Sequence, residues 1–317
     1  MIDVAAGILR DERGRVLLMQ RLPGKHLAGL WEFPGGKVEE GETVEQALIR
    51  ELDEELGIEV RACASVISLP WHYPGKSVRL HALRVTDWAG EPRAREGHPL
   101  RWIRVDEMDA AQMPPADAPI VTALRLPPYY AIAEKPGSES LFSDGNLLRR
   151  RELKSDSAPG FPLVQLRMPG ASREEIRKVA MLWMDSEPSL HERLLLNHDI
   201  GLARDLGVGV HLRSAQLREL RERPLPPTSW VGASCHDAEE LELAARLGAD
   251  FATLSPVQVT ASHPDAEPLG WDGFARLVAG ARLPVYALGG VGPADFERAR
   301  AAGAQGVAGI RAFAATA

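Results

Sequence analysis

The sequence predicts two folded units in series, an α+β domain over residues 1–127 and a small (β/α)8 TIM-type barrel over residues 128–317. Three observations point there. A chain of 317 residues suits two domains. Its first third sets strand-like runs around one strongly amphipathic helix. After Pro127–Pro128, short apolar runs alternate with helical stretches, the pattern of βαβ units and a parallel sheet.

In the first unit, residues 3–10 and 15–20 read as strands joined by the charged turn DERG. The segment EFPGGK follows, where a proline and two glycines mark a loop of close backbone approach. From Thr43 the apolar residues Ala47, Leu48, Leu52 and Leu56 recur at helical spacing, and Gly57 is placed to stop the helix. Strands are predicted at 59–69, 77–87 and 100–105, and a last helix around Ile120, Val121 and Leu124.

The second unit has its strands in YYAIAE, LVQLR, LLLN, GVHL, WVGAS, FATLS, VYALGG and GVAGI. Helical patterns such as SREEIRKVAMLW, DAEELELAARLGA and PADFERARAAGA lie between several of them. Eight strands in sequence favour a closed barrel over an open sheet.

Composition narrows the function classes. Forty-five per cent hydrophobic and 26 per cent charged residues describe a globular chain, with no apolar stretch long enough to cross a bilayer. Charges interrupt the N-terminal apolar run, so a signal peptide is not expected and the cytoplasm is the predicted compartment. Cys63 and Cys235 are the two cysteines, too few for a disulfide framework or a four-ligand zinc site. A net charge of −7 argues against duplex nucleic acid as a partner, but not against a nucleotide met through a bound cation.

The chemistry-bearing segment is GKVEEGETVEQALIRELDEELGI, residues 36–58. Glu51, Glu54 and Glu55 stand at i, i+3 and i+4, so one helix face carries all three carboxylates. Their repulsion would be relieved by a bound cation. Hard oxygen donors without Cys or His select Mg2+, with Mn2+ as an alternative, over zinc. Gly35 and Gly36 allow backbone groups to approach metal and phosphates. A solvated acidic helix face is the bland alternative, and the full motif with its preceding loop outweighs it.

Residues 31–58, together with EPRAREGHPLRW and MPPADAPIV, resemble the Nudix hydrolases of the MutT type, the 8-oxo-dGTP diphosphatases, across nearly all of residues 1–126. That resemblance implies a nucleoside triphosphate substrate, cut by water at the β-phosphorus to a monophosphate and pyrophosphate. The purpose would be removal of oxidised nucleotides before DNA replication uses them. It puts the metal ligands on Glu51, Glu54, Glu55 and the carbonyl of Gly35, with Glu96 as a further ligand or base. Glu51 is favoured over Glu96 as the base. It also places base recognition on Arg21, His26, Glu32, Phe33 and Pro34, each of which has an alternative reading as a loop or core residue. Lys76 stands where the family has an arginine. Asp117 replaces the asparagine that reads the oxidised purine, and an ionised carboxylate only accepts hydrogen bonds. That departure opens a second reading, hydrolysis of thiamin-related or other diphosphates.

Residues 129–317 resemble thiamin phosphate synthase and its relative TenI, through LVQLR, NHDIGLA, GVHL, VGASCH, ATLSPVQVTASHP, ALGGV and GAQGVAGI. The resemblance implies a thiazole or other phosphate ligand near Gln165, Arg167, Asn197, His236, Gly289 and Gly290, with Gly306 also near a phosphate. Synthase chemistry is not expected. Pro169 replaces a lysine, His198 replaces an aspartate, GVHLRSAQ lacks the next acid, and His263 stands near another lysine position. His236 matches the histidine that TenI uses as acid/base, and His211 reads as structural. A non-catalytic, ligand-sensing barrel is the third reading.

Overall fold

The computed structural model describes residues 1–134, 162–260 and 267–310. The chain divides into two compact units, Met1–Arg125 and Leu126–Ala317.

The first unit is organised by helix α1 (Val44–Leu56). Thr43 caps its start, accepting from the Gln46 amide while Gln46 accepts from the Thr43 amide, and Gly57 ends it at φ 71°. Its apolar stripe, Ala47, Leu48, Leu52 and Leu56, is buried. The stripe packs on strand β1 (Ile2–Ile8), where Gly7 keeps the approach close: an added Cβ would lie 3.1 Å from a Leu52 methyl. Around this pair lie β2 (Val16–Gln20), β3 (Trp31–Glu32), β4 (Glu59–Tyr73), β5 (Lys76–Ala89) and β6 (Leu100–Ile103). They form two three-stranded sheets, ordered β1-β5-β4 and β3-β2-β6. β1 runs parallel to β5, and the other pairs are antiparallel. A second core, with Ile8, Leu18 and Leu69, is covered by α2 (Ala118–Arg125).

Two features exceed the sequence-based expectation. The central hairpin runs on to Tyr73 and restarts at Lys76, because Pro74–Gly75 makes a two-residue turn with Gly75 at φ 76°. The short strand β3 pairs with β2 immediately before the diglycine loop.

The second unit is a closed ring of eight parallel strands: β7 (Tyr129–Ala133), β8 (Leu163–Leu166), β9 (Leu194–Asn197), β10 (Gly209–Leu212), β11 (Val231–Cys235), β12 (Phe251–Leu254), β13 (Val285–Ala287) and β14 (Gly306–Gly309). Helices α3 (Arg173–Ser186), α4 (Ile200–Leu206), α5 (Ser214–Glu219), α6 (Ala238–Leu247), α7 (Gly270–Val278) and α8 (Phe296–Ala301) lie between strands in the chain. Tyr130, Phe251 and Tyr286 meet inside the ring with centroids 5.2–5.9 Å apart.

Leu126–Pro128 close the N-terminal end of the ring. The Tyr286 hydroxyl donates to Pro127 O at 2.5 Å, and Gln305 Nε2 donates to Leu126 O at 3.1 Å. These contacts tie Leu126 and Pro127 to the barrel unit. Gly306 sits against this plug, where an added Cβ would fall 1.8 Å from Pro128 O. Backbone cannot yield that far, so Gly306→Ala should lower barrel stability by about 3 kcal/mol or more in urea unfolding. A change below about 0.5 kcal/mol would contradict the close packing at the plug.

Candidate active site

The diglycine bend is held against two elements at once. Along β1, the amides of Gly7 and Ala5 donate to Pro34 O (2.7 Å) and Gly36 O (2.8 Å). At Gly35, φ is 140° and a Cβ would lie 2.2 Å from Ala5 O. At Gly36 a Cβ would lie 2.2 Å from the Glu51 carboxylate. At Gly35, where the obstacle is backbone, only a residue without a side chain fits, and at Gly36 any side chain would displace the Glu51 carboxylate. From α1, Glu55 Oε2 accepts the Gly35 amide at 2.9 Å. Arg50 ties the same helix to the loop, donating to Glu42 (2.8 and 3.0 Å), Lys37 O (3.0 Å) and Glu51 Oε1 (2.8 Å). Glu54 lies one turn beyond Arg50, 3.5 Å from its guanidinium and exposed.

Burial is the largest cause that pushes the Glu55 carboxyl up to about 8. The Gly35 amide pulls it down, and the charges of Glu51, Glu32 and Glu96 push it further up. Four carboxylates therefore bear on one buried point. Glu96 reaches it from an exposed loop, 3.5 Å from His98 Nε2, while His98 Nδ1–H donates to Gln20 O at 3.0 Å. Among the described residues no three acidic, histidine or cysteine side chains already form a complete metal-ligand set. The reason is local: Glu51 turns to Arg50 and Glu55 to the Gly35 amide. An excess of hard oxygen donors around a glycine-lined cradle fits a divalent cation, which would offset the mutual repulsion.

Beside this cluster lies a second acidic group. Arg21 forms an ion pair with Glu32 and donates from Nε to His26 O at 2.6 Å. Burial raises the Glu32 carboxyl, and Arg21 and His98 draw it back. Asp117 is 5% exposed, and no hydrogen bond to its carboxyl is present among the described residues. Burial holds that carboxyl well above its usual range, reinforced by Glu32 and opposed by Arg21. Tyr73 joins the group: its phenol is hydrogen-bonded by the Ala116 backbone, and its ring meets His26 edge-on at 5.7 Å.

The structure thus brings Arg21, His26, Glu32 and Asp117 together. Phe33 is packed in the second core at 4% exposure, Pro34 is held on β1, and Lys76 stands exposed where β5 begins. Sequence reasoning missed Tyr73, His98 and the strapping role of Arg50. The aromatic in HYPGK was the available signal for the first.

In the barrel, the C-terminal strand ends surround a cavity of about 470 Å³. Gln165, Arg167, Asn197, His236 and Gly289 all line it. Gln165 Nε2 donates to Asn197 Oδ1 at 3.0 Å, and Arg167 forms an ion pair with Glu134. His236 is oriented by Glu240, whose Oε2 meets Nδ1 at 2.9 Å and the His236 amide at 2.8 Å. Gly289 and Gly290 adopt φ of 92° and 70°, and a Cβ on Gly290 would lie 2.5 Å from Val259 O. His211 bridges the Tyr130 hydroxyl and Ser234 Oγ, 3.0 Å from each, and burial pushes it down to about 3. It is a neutral structural histidine at the base of the cavity. His263 lies outside the described residues. Arg213 and Ser234 also line the cavity and were not singled out from sequence.

Known proteins resemble the two units separately. Residues 5–123 match the family model described as NUDIX domain, and residues 148–313 match that described as thiamine monophosphate synthase. The 8-oxo-dGTP diphosphatase of Haemophilus influenzae is 45% identical over 124 residues, covering 39% of this chain and 91% of that protein. The CTP pyrophosphohydrolase of Escherichia coli is 43% identical over 123 residues, covering 39% and 90%. The putative thiamine-phosphate synthase 2 of Aquifex aeolicus is 33% identical over 194 residues, covering 60% and 99%. Among the described residues no helix is long and apolar enough to cross a membrane.

The raised Glu55 carboxyl has a thermodynamic signature. Between its ordinary value of 4.5 and about 8, the native protein holds a proton that the unfolded chain has lost. In chelator, this group's contribution is full below about pH 4.5 and is lost as pH rises through about 8. Urea unfolding across that window should therefore show a stability decline that Glu55→Gln flattens. An identical slope in both proteins would place the proton elsewhere.

Proposed function

Because the chain belongs to the Nudix family over residues 5–123 and to the thiamine monophosphate synthase family over residues 148–313, we propose that its first unit is a Mg2+-dependent nucleoside triphosphate pyrophosphohydrolase acting on 8-oxo-dGTP. The observation that carries this reading is the convergence of Glu51 and Glu55 on the diglycine bend. Glu51, Glu54, Glu55, the Gly35 carbonyl and Glu96 would hold Mg2+, or Mn2+ in its place. When bound, the dication supplies charge compensation for the phosphates and a more acidic water.

Glu51 then takes the proton from water as its oxygen bonds to the β-phosphorus. The bond from that phosphorus to the α–β bridging oxygen breaks, leaving the nucleoside monophosphate and pyrophosphate. Lys76 meets phosphate as a point charge rather than a bidentate fork. Arg21, held by Glu32, and His26 face the nucleotide, while Phe33 and Pro34 fix the loop that carries them.

Asp117 supports the oxidised purine over other bases. Burial raises the Asp117 carboxyl, and in its protonated form a carboxyl presents one donor and one acceptor, the same pair as the family's asparagine. It can donate to the purine carbonyl that a carboxylate would repel. The second reading, hydrolysis of thiamin-related diphosphates, is favoured by the thiamin-type barrel on the same chain. For that barrel we retain a TenI-like phosphate site in which the Glu240-oriented His236 acts as acid/base, without synthase activity.

Initial rates with Mg2+ on 8-oxo-dGTP, dGTP, CTP and thiamin diphosphate separate these readings. The highest kcat/KM is expected for 8-oxo-dGTP, with the monophosphate and pyrophosphate as products; a preference for thiamin diphosphate would overturn the assignment. Asp117→Asn should keep the oxidised-base preference and Asp117→Ala should lose it. Glu55→Gln should lower kcat by about 10³-fold, a barrier increase of about 4 kcal/mol, with folding intact.

A further inference from the structure

The second half of α1 is charged against its own dipole. Glu51, Asp53, Glu54 and Glu55 crowd the end where terminal carbonyls already place negative charge, and the last turn holds no basic residue. The missing cation comes from elsewhere in the chain. Arg95 Nη1 donates to Asp53 O at 2.9 Å and to Asp53 Oδ1 at 3.1 Å, across 42 positions. Its guanidinium lies over Gly57, where an added Cβ would fall 2.4 Å from Nε. Two backbone bonds run alongside: the Arg93 amide donates to Leu56 O and the Arg95 amide to Glu55 O, each at 2.9 Å.

These few bonds hold the segment that carries Glu96. Residues 91–99 form no helix or strand, and residues 93–97 are exposed, so apolar burial does little to fix them. The Arg93 side chain does not help, because it pairs with Glu91 in the same loop at 2.7 Å. Within 93–97, Arg95 is the residue whose side chain is hydrogen-bonded to α1. Its neighbour Glu96 has a side chain 57% exposed and 3.5 Å from His98 Nε2, yet its charge is felt at Glu55. Glu96 thus leaves the loop one residue from a backbone bond to Glu55 itself.

We infer that Arg95 is a positioning residue for metal capture: it clamps the 93–97 loop to the end of α1 and so holds Glu96 beside the dication site that Glu51 and Glu55 begin. The inference rests on the reading of Glu96 as a metal ligand and adds the side chain that brings it there. Charge alone gives the opposite sign. A guanidinium near a dication site repels the incoming ion, so its removal should tighten uptake. A clamp predicts the reverse, because without it Glu96 stays in solvent and the ion loses an oxygen donor.

Mn2+ uptake by the full chain, followed by electron paramagnetic resonance, tests it in wild type, Arg95→Ala, Arg95→Lys, Glu96→Gln, and Arg95→Ala combined with Glu96→Gln. Arg93→Ala is the charge control. Expected is a loss of affinity of about tenfold for Glu96→Gln and for Arg95→Ala, with a smaller loss for Arg95→Lys. The combined variant should bind within about twofold of Glu96→Gln alone, since Arg95 acts through Glu96. Arg93→Ala should bind as wild type does, or more tightly. In EDTA, deuterium exchange of residues 93–97 should quicken in Arg95→Ala and not in Glu96→Gln. Should Arg95→Ala lower the melting temperature, Arg95→Lys, which keeps the charge but not the fork, carries the same comparison. Wild-type uptake by Glu96→Gln would overturn the reading of Glu96 as a ligand. Weakened uptake by Glu96→Gln with unchanged or tighter uptake by Arg95→Ala would overturn the clamp alone, as would losses that add in the combined variant.

Discussion

The first unit depends on one close approach, that of the Gly35–Gly36 bend to β1 on one side and α1 on the other. The backbone of Ala5 and the carboxylate of Glu51 occupy the space that side chains at these two positions would need. The bend in turn gives Glu55 its amide partner and its burial. Capping by Thr43 and Gly57 fixes where α1 starts and stops, and the buried stripe fixes which face it shows the sheet. The carboxylates are thus set by the same packing that makes the helix. Repulsion among them is the cost of that arrangement, and a cation is its natural relief.

Two acids in this unit are pushed upward by burial, and their surroundings give them different work. Glu55 faces other carboxylates and a backbone amide, an environment that a metal can convert to the ionised form. Asp117 faces Glu32 and Arg21 with no hydrogen-bond donor to its carboxyl among the described residues, and burial raises that carboxyl above its usual range.

Much of this was legible in the sequence, because helical spacing alone puts Glu51, Glu54 and Glu55 on one face and Gly57 at the stop. The alternation after Pro128 likewise announced eight strands, and all eight are present in the ring. What escaped depended on contacts between distant segments. Tyr73 reaches Ala116 and His26 only once the hairpin has folded over, and His98 meets Gln20 across 78 positions. The burial of Asp117 and the upward shift of its carboxyl were likewise not readable from its position in MPPADAP.

The central claim is that carboxylates from successive turns of α1 capture a hard dication beside the diglycine bend. Electron paramagnetic resonance of Mn2+ titrated into the full chain tests it most directly. The account predicts saturable uptake that Mg2+ competes away and that Glu51→Gln and Glu55→Gln each weaken severely. Uptake of the same strength in both variants would contradict it.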